Sequence, residues 1–182
     1  HTRRGAGDYR GLRGDLDLSG KFVVFSGGKL EARKGQDILI AAFRKFCSRH
    51  ADAVLVAAWH NYWPEYMRGI SAAGHVHGHP ATEGHRILFG PWLTANGVPA
   101  QNFYDMGETT HLQLSKLLKR ADASVFANRA EGGTNLVAME AMASGTPVII
   151  SNNTGHTDIV DEAHCYPLRT QTPIPRASAS GW

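Results

Sequence analysis

The residues best suited to chemistry lie in one segment, residues 121–150. An apolar run there predicts a strand, and a loop containing Gly132 and Gly133 leads into a predicted helix. Thr134 and Asn135 are both residue types that cap helix N-termini. Glycines before a helix let backbone N–H groups approach an anion, and the helix N-terminus adds a partial positive charge. The segment predicts a seat for a phosphate or diphosphate group, although the same glycines would also suit an ordinary tight turn.

Two carboxylates flank this loop. Glu140 lies about one and a half turns into the predicted helix, where it could reach ligand hydroxyls beside the phosphates, as acidic residues reach ribose in nucleotide-binding folds. Glu131 lies at the mouth of the loop, where it could meet the other end of a diphosphate ligand. Each also has an ordinary interpretation, a helix-surface charge for Glu140 and a solvated loop charge for Glu131.

Basic residues flank the first strand-to-helix loop, GGKLEARKG. Lys29 and Lys34, with Arg33 beside them, would neutralise a diphosphate and the charge that develops on a leaving group. Ordinary solvent-exposed cations are the competing interpretation.

Alternating strands and helices would bring these loops together. The pattern predicts an α/β fold with an open, doubly wound, mostly parallel Rossmann-like sheet and helices on both faces. Ligands of such sheets bind beyond the carboxyl ends of the strands. A further helix is predicted in EGHRILFGPWLTANG, interrupted by Gly90 and Pro91. The predicted strands are residues 21–27, 51–59, 102–107, 123–128 and 147–151, and the main predicted helices are residues 34–50, 109–122 and 134–145.

Three pieces of the chain carry a family resemblance: SGGKLEARKGQDILIAAF, ADASVFAN and EGGTNLVAMEAMASGTPVI. In combination they resemble the C-terminal, donor-binding domain of GT-B glycosyltransferases, above all the retaining family-four type (glycosyl transferases group 1), over residues 21–160. The resemblance implies catalytic roles for Glu131 and Lys34. The substrate-binding residues that it implies are Gly28, Lys29, Lys34, Gly107, Thr109, Glu131, Gly132, Gly133, Thr134, Asn135, Leu136, Val137 and Glu140.

Individual roles follow from the same resemblance. Lys29 stands where the family usually has an arginine, and Lys34 matches its Lys-Gly lysine; both would contact the diphosphate. The change to Lys29 keeps the charge but loses a bidentate fork. Glu140 matches the second glutamate of a paired motif and would hold the ribose hydroxyls. Glu131 is the nearest match to the first, which faces the donor sugar, but eight residues separate the two where the family has seven.

The function that the resemblance implies is transfer of a sugar from a UDP- or GDP-type donor to an acceptor hydroxyl. Residues 107–109 would border the base, and no cofactor or divalent metal is required. The acceptor site would come from an N-terminal domain missing here, so this piece alone should bind nucleotide without activity. A nucleotide-sugar epimerase of the same two-domain fold and a non-catalytic nucleotide-binding or scaffold module are the alternatives. The sugar, base and acceptor stay open.

Composition sets broader limits. The chain has 182 residues, 42% of them hydrophobic, with 19 Lys+Arg against 16 Asp+Glu and a net charge of +3. This is a globular composition without a nucleic-acid-binding tail. No apolar run approaches the roughly 18 residues of a membrane span, so we expect a cytoplasmic protein, with peripheral contact at the inner membrane face compatible with this. We expect a linker over residues 1–20, the nucleotide-sugar-binding domain over 21–166 and an extended tail over 167–182.

Alternate histidines, His75, His77 and His79, mark the middle of the chain. On a strand they would share a face and could converge on a transition metal. Gly78 and Pro80 favour a loop instead, and no cysteine or carboxylate cluster accompanies them. We therefore expect no metal site.

Overall fold

The computed structural model describes residues 16–84 and 86–173. The strands in this part of the chain are β1 (Phe22–Lys29), β2 (Ala53–His60), β3 (Ala81–Glu83), β4 (Arg86–Leu88), β5 (Phe103–Asp105), β6 (Ala123–Phe126), β7 (Val148–Ser151) and β8 (Tyr166–Leu168). The α-helices are α1 (Gln36–Cys47), α2 (Phe89–Ala95), α3 (His111–Arg120) and α4 (Leu136–Ala143), and 3-10 turns cover Ala32–Lys34, Pro64–Ser71, Ala100–Asn102 and Thr154–Asp158.

The main sheet has six strands in the order β5-β2-β1-β6-β7-β8, and every neighbouring pair is parallel. β3 and β4 form a separate antiparallel hairpin. The chain builds outward from β1 to β2 and β5 on one side, then from β6 to β7 and β8 on the other. The strand order therefore reverses between β1 and β6, and the crevice at such a reversal is where doubly wound sheets bind ligands.

Alternate residues of the central strands point into two separate cores. Val24 of β1 packs into the core that contains α1 and α2. Val23 and Phe25 pack on the opposite face, with α3 and α4. Helices cover both faces of the sheet, so the predicted α/β, doubly wound, mostly parallel Rossmann-like fold is confirmed.

Strand β1 is longer than predicted. The sequence placed its end at the first of two glycines, but it continues through Gly28 and Lys29, which pair with Trp59 and His60 of β2. Helix α1 begins at Gln36 rather than residue 34, because Gly35 has a left-handed φ of 69° and ends a 3-10 turn. The β1–α1 loop consequently starts farther along the chain than predicted.

The predicted interrupted helix in the middle of the chain is wrong in its first half. Residues 86–88 form β4, and α2 begins only at Phe89. Gly90 and Pro91 lie in its first turn, where the missing N–H of proline would have had no intrahelical partner. They therefore start this helix and do not interrupt it.

The core extends past the predicted boundary at residue 21, and the sheet extends past the predicted boundary at residue 166. Leu18, inside the predicted linker, is buried, and Arg120 donates to its carbonyl oxygen and to that of Lys21. At the other end β8 pairs with β7 as far as Leu168, which passes the expected boundary at residue 166. The rest of the predicted linker, residues 1–15, and the end of the predicted tail, residues 174–182, lie outside the described residues.

The loops after β1 and β6 are locked together. Asp37 at the start of α1 is fully buried, and the Arg129 guanidinium donates two hydrogen bonds to it, of 2.7 and 2.6 Å. The Arg129 backbone N–H also donates to the Arg33 carbonyl at 2.7 Å. Gly35 lies so close to the Ala127 carbonyl oxygen that an added Cβ would be 1.9 Å from it. These contacts hold the two loops at the strand-order reversal in one arrangement.

A pair of glycine substitutions tests this close approach. Gly35 and Gly74 have similar φ angles of 69° and 75°, but an added Cβ meets nothing within 4 Å at Gly74. Both substitutions to alanine should cost about 1–2 kcal/mol for the left-handed backbone. We expect Gly35→Ala to lower the free energy of unfolding by about 1–3 kcal/mol more than Gly74→Ala, because it also forces the two loops apart. Urea denaturation measures both values, and equal losses would contradict the close contact.

Candidate functional site

A cleft of about 460 Å³ lies at the carboxyl edge of the sheet, over the ends of β1 and β2 and between α3 and α4. It is lined by residues from all of these elements and from the loop after β5. Six of the predicted substrate-binding residues line it: Gly28, Gly107, Thr109, Leu136, Val137 and Glu140. The structure therefore brings predicted residues from β1, from the loop after β5 and from the start of α4 to one cavity. The other predicted residues do not line it: Lys29, Lys34, Glu131, Gly132, Gly133, Thr134 and Asn135.

Further cleft residues escaped the sequence prediction. His60 ends β2, Tyr62 follows it, and His111 begins α3. The Tyr62 hydroxyl donates to Glu108 across the opening, and His111 Nδ1 lies 3.5 Å from the Glu140 carboxylate. The position of His60 at the carboxyl end of a strand was the one available sequence signal, because Tyr62 and His111 belong to no motif.

Helix α4 begins with a specific cap. Asn135 has a left-handed φ of 59°, and its Oδ1 accepts from the backbone N–H of Ala138 at 3.3 Å. Asn135 is therefore the N-cap residue, and Thr134, the other candidate, is the residue before it. The helix N-terminus that results points its first turn, with Leu136 and Val137, at the cleft.

Gly132 and Gly133 are exposed and precede the cap. Neither has a positive φ, and a Cβ added to either would meet nothing within 4 Å. The local backbone therefore does not require glycine at these positions, which removes the tight turn as the reason for them. Their effect is to keep one side of the loop free of side chains.

Glu131, Lys34 and Arg33 form a compact ionic cluster beside the loop. Lys34 Nζ donates to Glu131 Oε2, Arg33 Nη1 lies 3.3 Å from Oε1, and Asn128 Nδ2 donates to Oε2 at 2.8 Å. Burial raises the pKa of Glu131, but the hydrogen bond and charge of Lys34 and the charge of Arg33 outweigh it, so the pKa lies below its ordinary value. Glu131 is thus held as a carboxylate, and the two predicted catalytic residues are in direct contact.

Lys29 is separate from this cluster. Its ammonium lies 4.5 Å from the centre of the Trp63 ring and 5.9 Å from that of Tyr66, both exposed residues after β2. Such cation–π contacts are worth about 0.5–1 kcal/mol at an exposed site. In this structure the predicted cations therefore lie apart: Lys34 contacts Glu131 beside the loop that precedes α4, and Lys29 contacts the aromatic rings of Trp63 and Tyr66.

One buried residue near the loop was also missed by the sequence prediction. His156, in the 3-10 turn Thr154–Asp158, is fully buried, and its Nε2 lies 2.9 Å from the side-chain nitrogen of Asn135. The sequence offers no signal for it, because its burial depends on segments twenty residues apart.

Histidines of the middle segment lie in turns and bends, not on a strand. The His77 backbone is held by Asn96 and Trp92. Within residues 16–84 and 86–173 no group of three or more His, Cys, Asp or Glu side chains could hold a metal ion. The helices of that same part of the chain are all too short or too polar to cross a membrane.

Comparisons with known proteins agree with this fold. Residues 91–176 match the family model described as glycosyl transferases group 1. The Bacillus subtilis (strain 168) protein YtcC, provisionally named a glycosyltransferase, is 26% identical over 167 residues, 87% of this chain and 35% of the relative. The uncharacterized glycosyltransferase MJ1607 of Methanocaldococcus jannaschii is 31% identical over 140 residues, 77% of this chain and 29% of the relative.

A solved structure shares the fold. Anabaena Alr3699/HepE, crystallised in complex with UDP and glucose, superposes with a TM-score of 0.64 at 18% identity, covering 91% of this chain and 39% of that chain. Together with the family match, this confirms the predicted resemblance to group 1 glycosyltransferases of the GT-B fold. The chain spans about a third of the length of the curated relatives described above.

Removing the charge of Glu131 tests the ionic cluster. We expect Glu131→Gln to lower the free energy of unfolding at pH 7 by about 1.5–3 kcal/mol, since a carboxylate hydrogen-bonded to two cations is lost. A lowered pKa in the folded state means that this stabilisation is complete above the ordinary value of 4.5 and is lost as the pH falls through the lowered folded pKa. The difference between wild type and variant should therefore shrink below about pH 4.5 in urea titrations.

Glu162→Gln is the matched control, because that carboxylate is 71% exposed and pairs with Arg169 at the surface. Exposed pairs contribute about 0–1 kcal/mol. A Glu131→Gln effect as small as the control, or one independent of pH, would contradict the cluster.

Proposed function

We propose that this chain is the donor-binding domain of a retaining glycosyltransferase, which binds a nucleotide-diphosphate sugar of the UDP or GDP type and transfers the sugar to an acceptor hydroxyl. The observation that carries the proposal is the composition of one cleft. Gly28, the first turn of α4 and the Glu140 carboxylate all line it. A helix N-terminus attracts phosphate and a nearby carboxylate accepts from vicinal hydroxyls, which are the two ends of a ribose diphosphate.

The diphosphate would lie along the start of α4. The backbone N–H groups of Leu136 and Val137 belong to the first turn, where intrahelical partners are lacking. Gly132 and Gly133 keep the approach clear of side chains, although nothing within the chain requires glycine there. Backbone donors without a covering side chain suit a close ligand phosphate.

The cations would balance the charge of the leaving diphosphate. Lys34 is proposed to contact it and to stabilise the negative charge that develops as the sugar departs. Glu131, its partner in the structure, would then face the donor sugar, so both carry the proposed catalytic roles. Lys29 would need to leave the Trp63 ring to reach the same phosphates. No side chain is assigned as a nucleophile.

The remaining proposed contacts are to the ribose and the base of the donor, and from the backbone at the start of the helix. Glu140 would accept hydrogen bonds from the ribose hydroxyls, while Gly107 and Thr109 would border the base. Thr134 and Asn135 would contribute through the backbone at the start of the helix. We propose that neither a cofactor nor a divalent metal is needed, since the helix N-terminus and cations supply the positive charge at the diphosphate.

Support for the donor class also comes from structural neighbours. The Anabaena Alr3699/HepE structures contain UDP with glucose, and UDP-glucose. The acceptor would bind to a second domain that pairs with this one, so we propose that this chain alone binds nucleotide with negligible transferase activity.

A cytoplasmic location, with peripheral contact at the inner membrane face, is proposed as well. The two free cysteines, Cys47 and Cys165, are compatible with a reducing compartment.

Calorimetric titration of the 182-residue chain with UDP, GDP and ADP tests the binding proposal. We expect one of the three to bind, and Lys34→Met and Glu140→Gln each to weaken it about tenfold, a change of about 1.4 kcal/mol. Lys45→Met is the matched control for the lysine: Lys45 lies in the last turn of α1, at the opposite edge of the sheet from the cleft.

Thermal unfolding of each variant shows whether its fold is intact. The absence of binding heat from all three nucleotides with the folded wild type would overturn the proposed function. Equal weakening by Lys45→Met would show that net charge, and not the site, governs binding.

A further inference from the structure

The 3-10 turn Thr154–Asp158 is fitted against the loop that precedes α4. The Glu131 backbone N–H donates to Thr154 Oγ1 at 2.8 Å, and Gly155 N–H donates to the Glu131 carbonyl at 3.0 Å. A Cβ on Gly155 would lie 1.9 Å from the Gly133 carbonyl oxygen. Thr154 itself has a positive φ of 44°. The turn and the loop therefore fit each other without spare space, and a change in one must move the other.

The turn directs the side chain of His156 into the interior of the protein. It is fully buried. Its Nδ1 lies 3.1 Å from the Ser151 carbonyl oxygen at the end of β7, and its Nε2 lies 2.9 Å from the Asn135 amide nitrogen. A carbonyl oxygen only accepts, so Nδ1 carries the proton and Nε2 presents a lone pair to the amide. These partners select one neutral tautomer of the ring.

The Asn135 amide is held at both ends. Its Oδ1 accepts from Ala138 N–H as the cap of α4, and its nitrogen donates to His156. Its backbone is in the left-handed region, with φ 59° and ψ 80°, which costs a non-glycine residue free energy unless the surroundings hold it there. Turning the amide over would direct its N–H groups at the Ala138 N–H and remove the cap.

We propose that His156 is a positioning residue for the anion seat: its neutral ring holds the Asn135 amide in the capping orientation, and its protonation releases the cap. The proposal rests on the proposed function, because it assigns the seat to the donor diphosphate. A protonated ring would direct Nε2–H at the amide N–H groups, and two donors cannot satisfy each other. Donor affinity should therefore fall when His156 gains a proton.

The charges around His156 set the direction of this dependence. Burial lowers the pKa of His156 below its ordinary 6.5 and outweighs the Ser151 hydrogen bond and the Glu131 charge, which raise it. Lys34, from the loop after β1, lowers it further. The ring is therefore neutral at pH 7. The seat is fully formed above the ordinary pKa and is lost as the pH falls through the lower folded value.

Two substitutions of His156 distinguish a role in positioning Asn135 from a role in packing alone. His156→Gln places an amide oxygen near the former Nε2 and still accepts from Asn135, but it does not titrate. His156→Asn is shorter, keeps the bond to the Ser151 carbonyl and does not reach Asn135. His164→Gln is the control, because this histidine is 71% exposed and contacts Asp161 at the surface.

The probe is UDP-glucose, whose diphosphate bears no terminal phosphate; terminal phosphates have a second pKa of about 6 and would add their own pH dependence. Affinity is measured by calorimetry from about pH 7.5 down to the lowest pH at which thermal unfolding shows that the chain is folded. We expect wild type and His164→Gln to lose affinity as the pH falls through the lowered pKa of His156, by about fivefold once the ring is protonated, the size of a lost helix cap. His156→Gln should bind at pH 7.5 within about threefold of wild type and lose most of the pH dependence. His156→Asn should bind about fivefold more weakly at every pH.

Asn135→Gly keeps the proposal testable if the buried substitutions do not fold. Glycine adopts φ 59° without strain, so this variant removes the contact with His156 and leaves the backbone unchanged. It should bind UDP-glucose more weakly and without the pH dependence. A pH-independent wild type, or wild-type pH profiles in His156→Gln and Asn135→Gly, would overturn the inference while leaving the proposed function in place. A wild type that binds no nucleotide or nucleotide sugar at any pH would overturn both.

Discussion

The contact between the β1–α1 and β6–α4 loops is the constraint on which the rest of the site depends. The fully buried Asp37 needs the Arg129 guanidinium, because an unpaired carboxylate at that depth would be strongly unfavourable. Gly35 lets the backbones approach until the carbonyl of Ala127 occupies the space of a side chain. Once these two loops are joined, Lys34 and Glu131 must be neighbours.

Within the ionic cluster, the charges of Lys34 and Glu131 already compensate each other. Lys34 is already neutralised by Glu131, so an arriving diphosphate would exchange one anionic partner for another and would not meet a bare cation. The sequence suggested both residues as ligand contacts, but it could not show that they contact each other. Each site residue was assigned a role from its own neighbours in sequence, whereas the structure makes the two roles interdependent.

Most of the sheet could be predicted from the sequence because its strands are buried on both faces. Apolar runs such as that of β2 are legible for this reason. The hairpin β3–β4 was missed, since its strands have three residues each and the side chains of β3 are all exposed, so they form no alternating pattern. The orientation of Lys29 was also beyond reach, because Trp63 lies in another loop. His156 was missed for the same reason: it carries no motif and acquires its partners only through the fold.

The lengths of chain between contacting site residues have a consequence for folding. Asp37 and Arg129 are 92 residues apart, and Lys34 and Glu131 are 97 apart. The first strand–helix–strand unit can pair β1 with β2 through a short connection, but β6 must close a loop of about a hundred residues before it reaches β1. Contacts of such high sequence separation form slowly, since loop closure costs entropy before they contribute stability. The candidate site should therefore assemble late in folding, when β6 pairs with β1 and after the β1–β2 half of the sheet has formed.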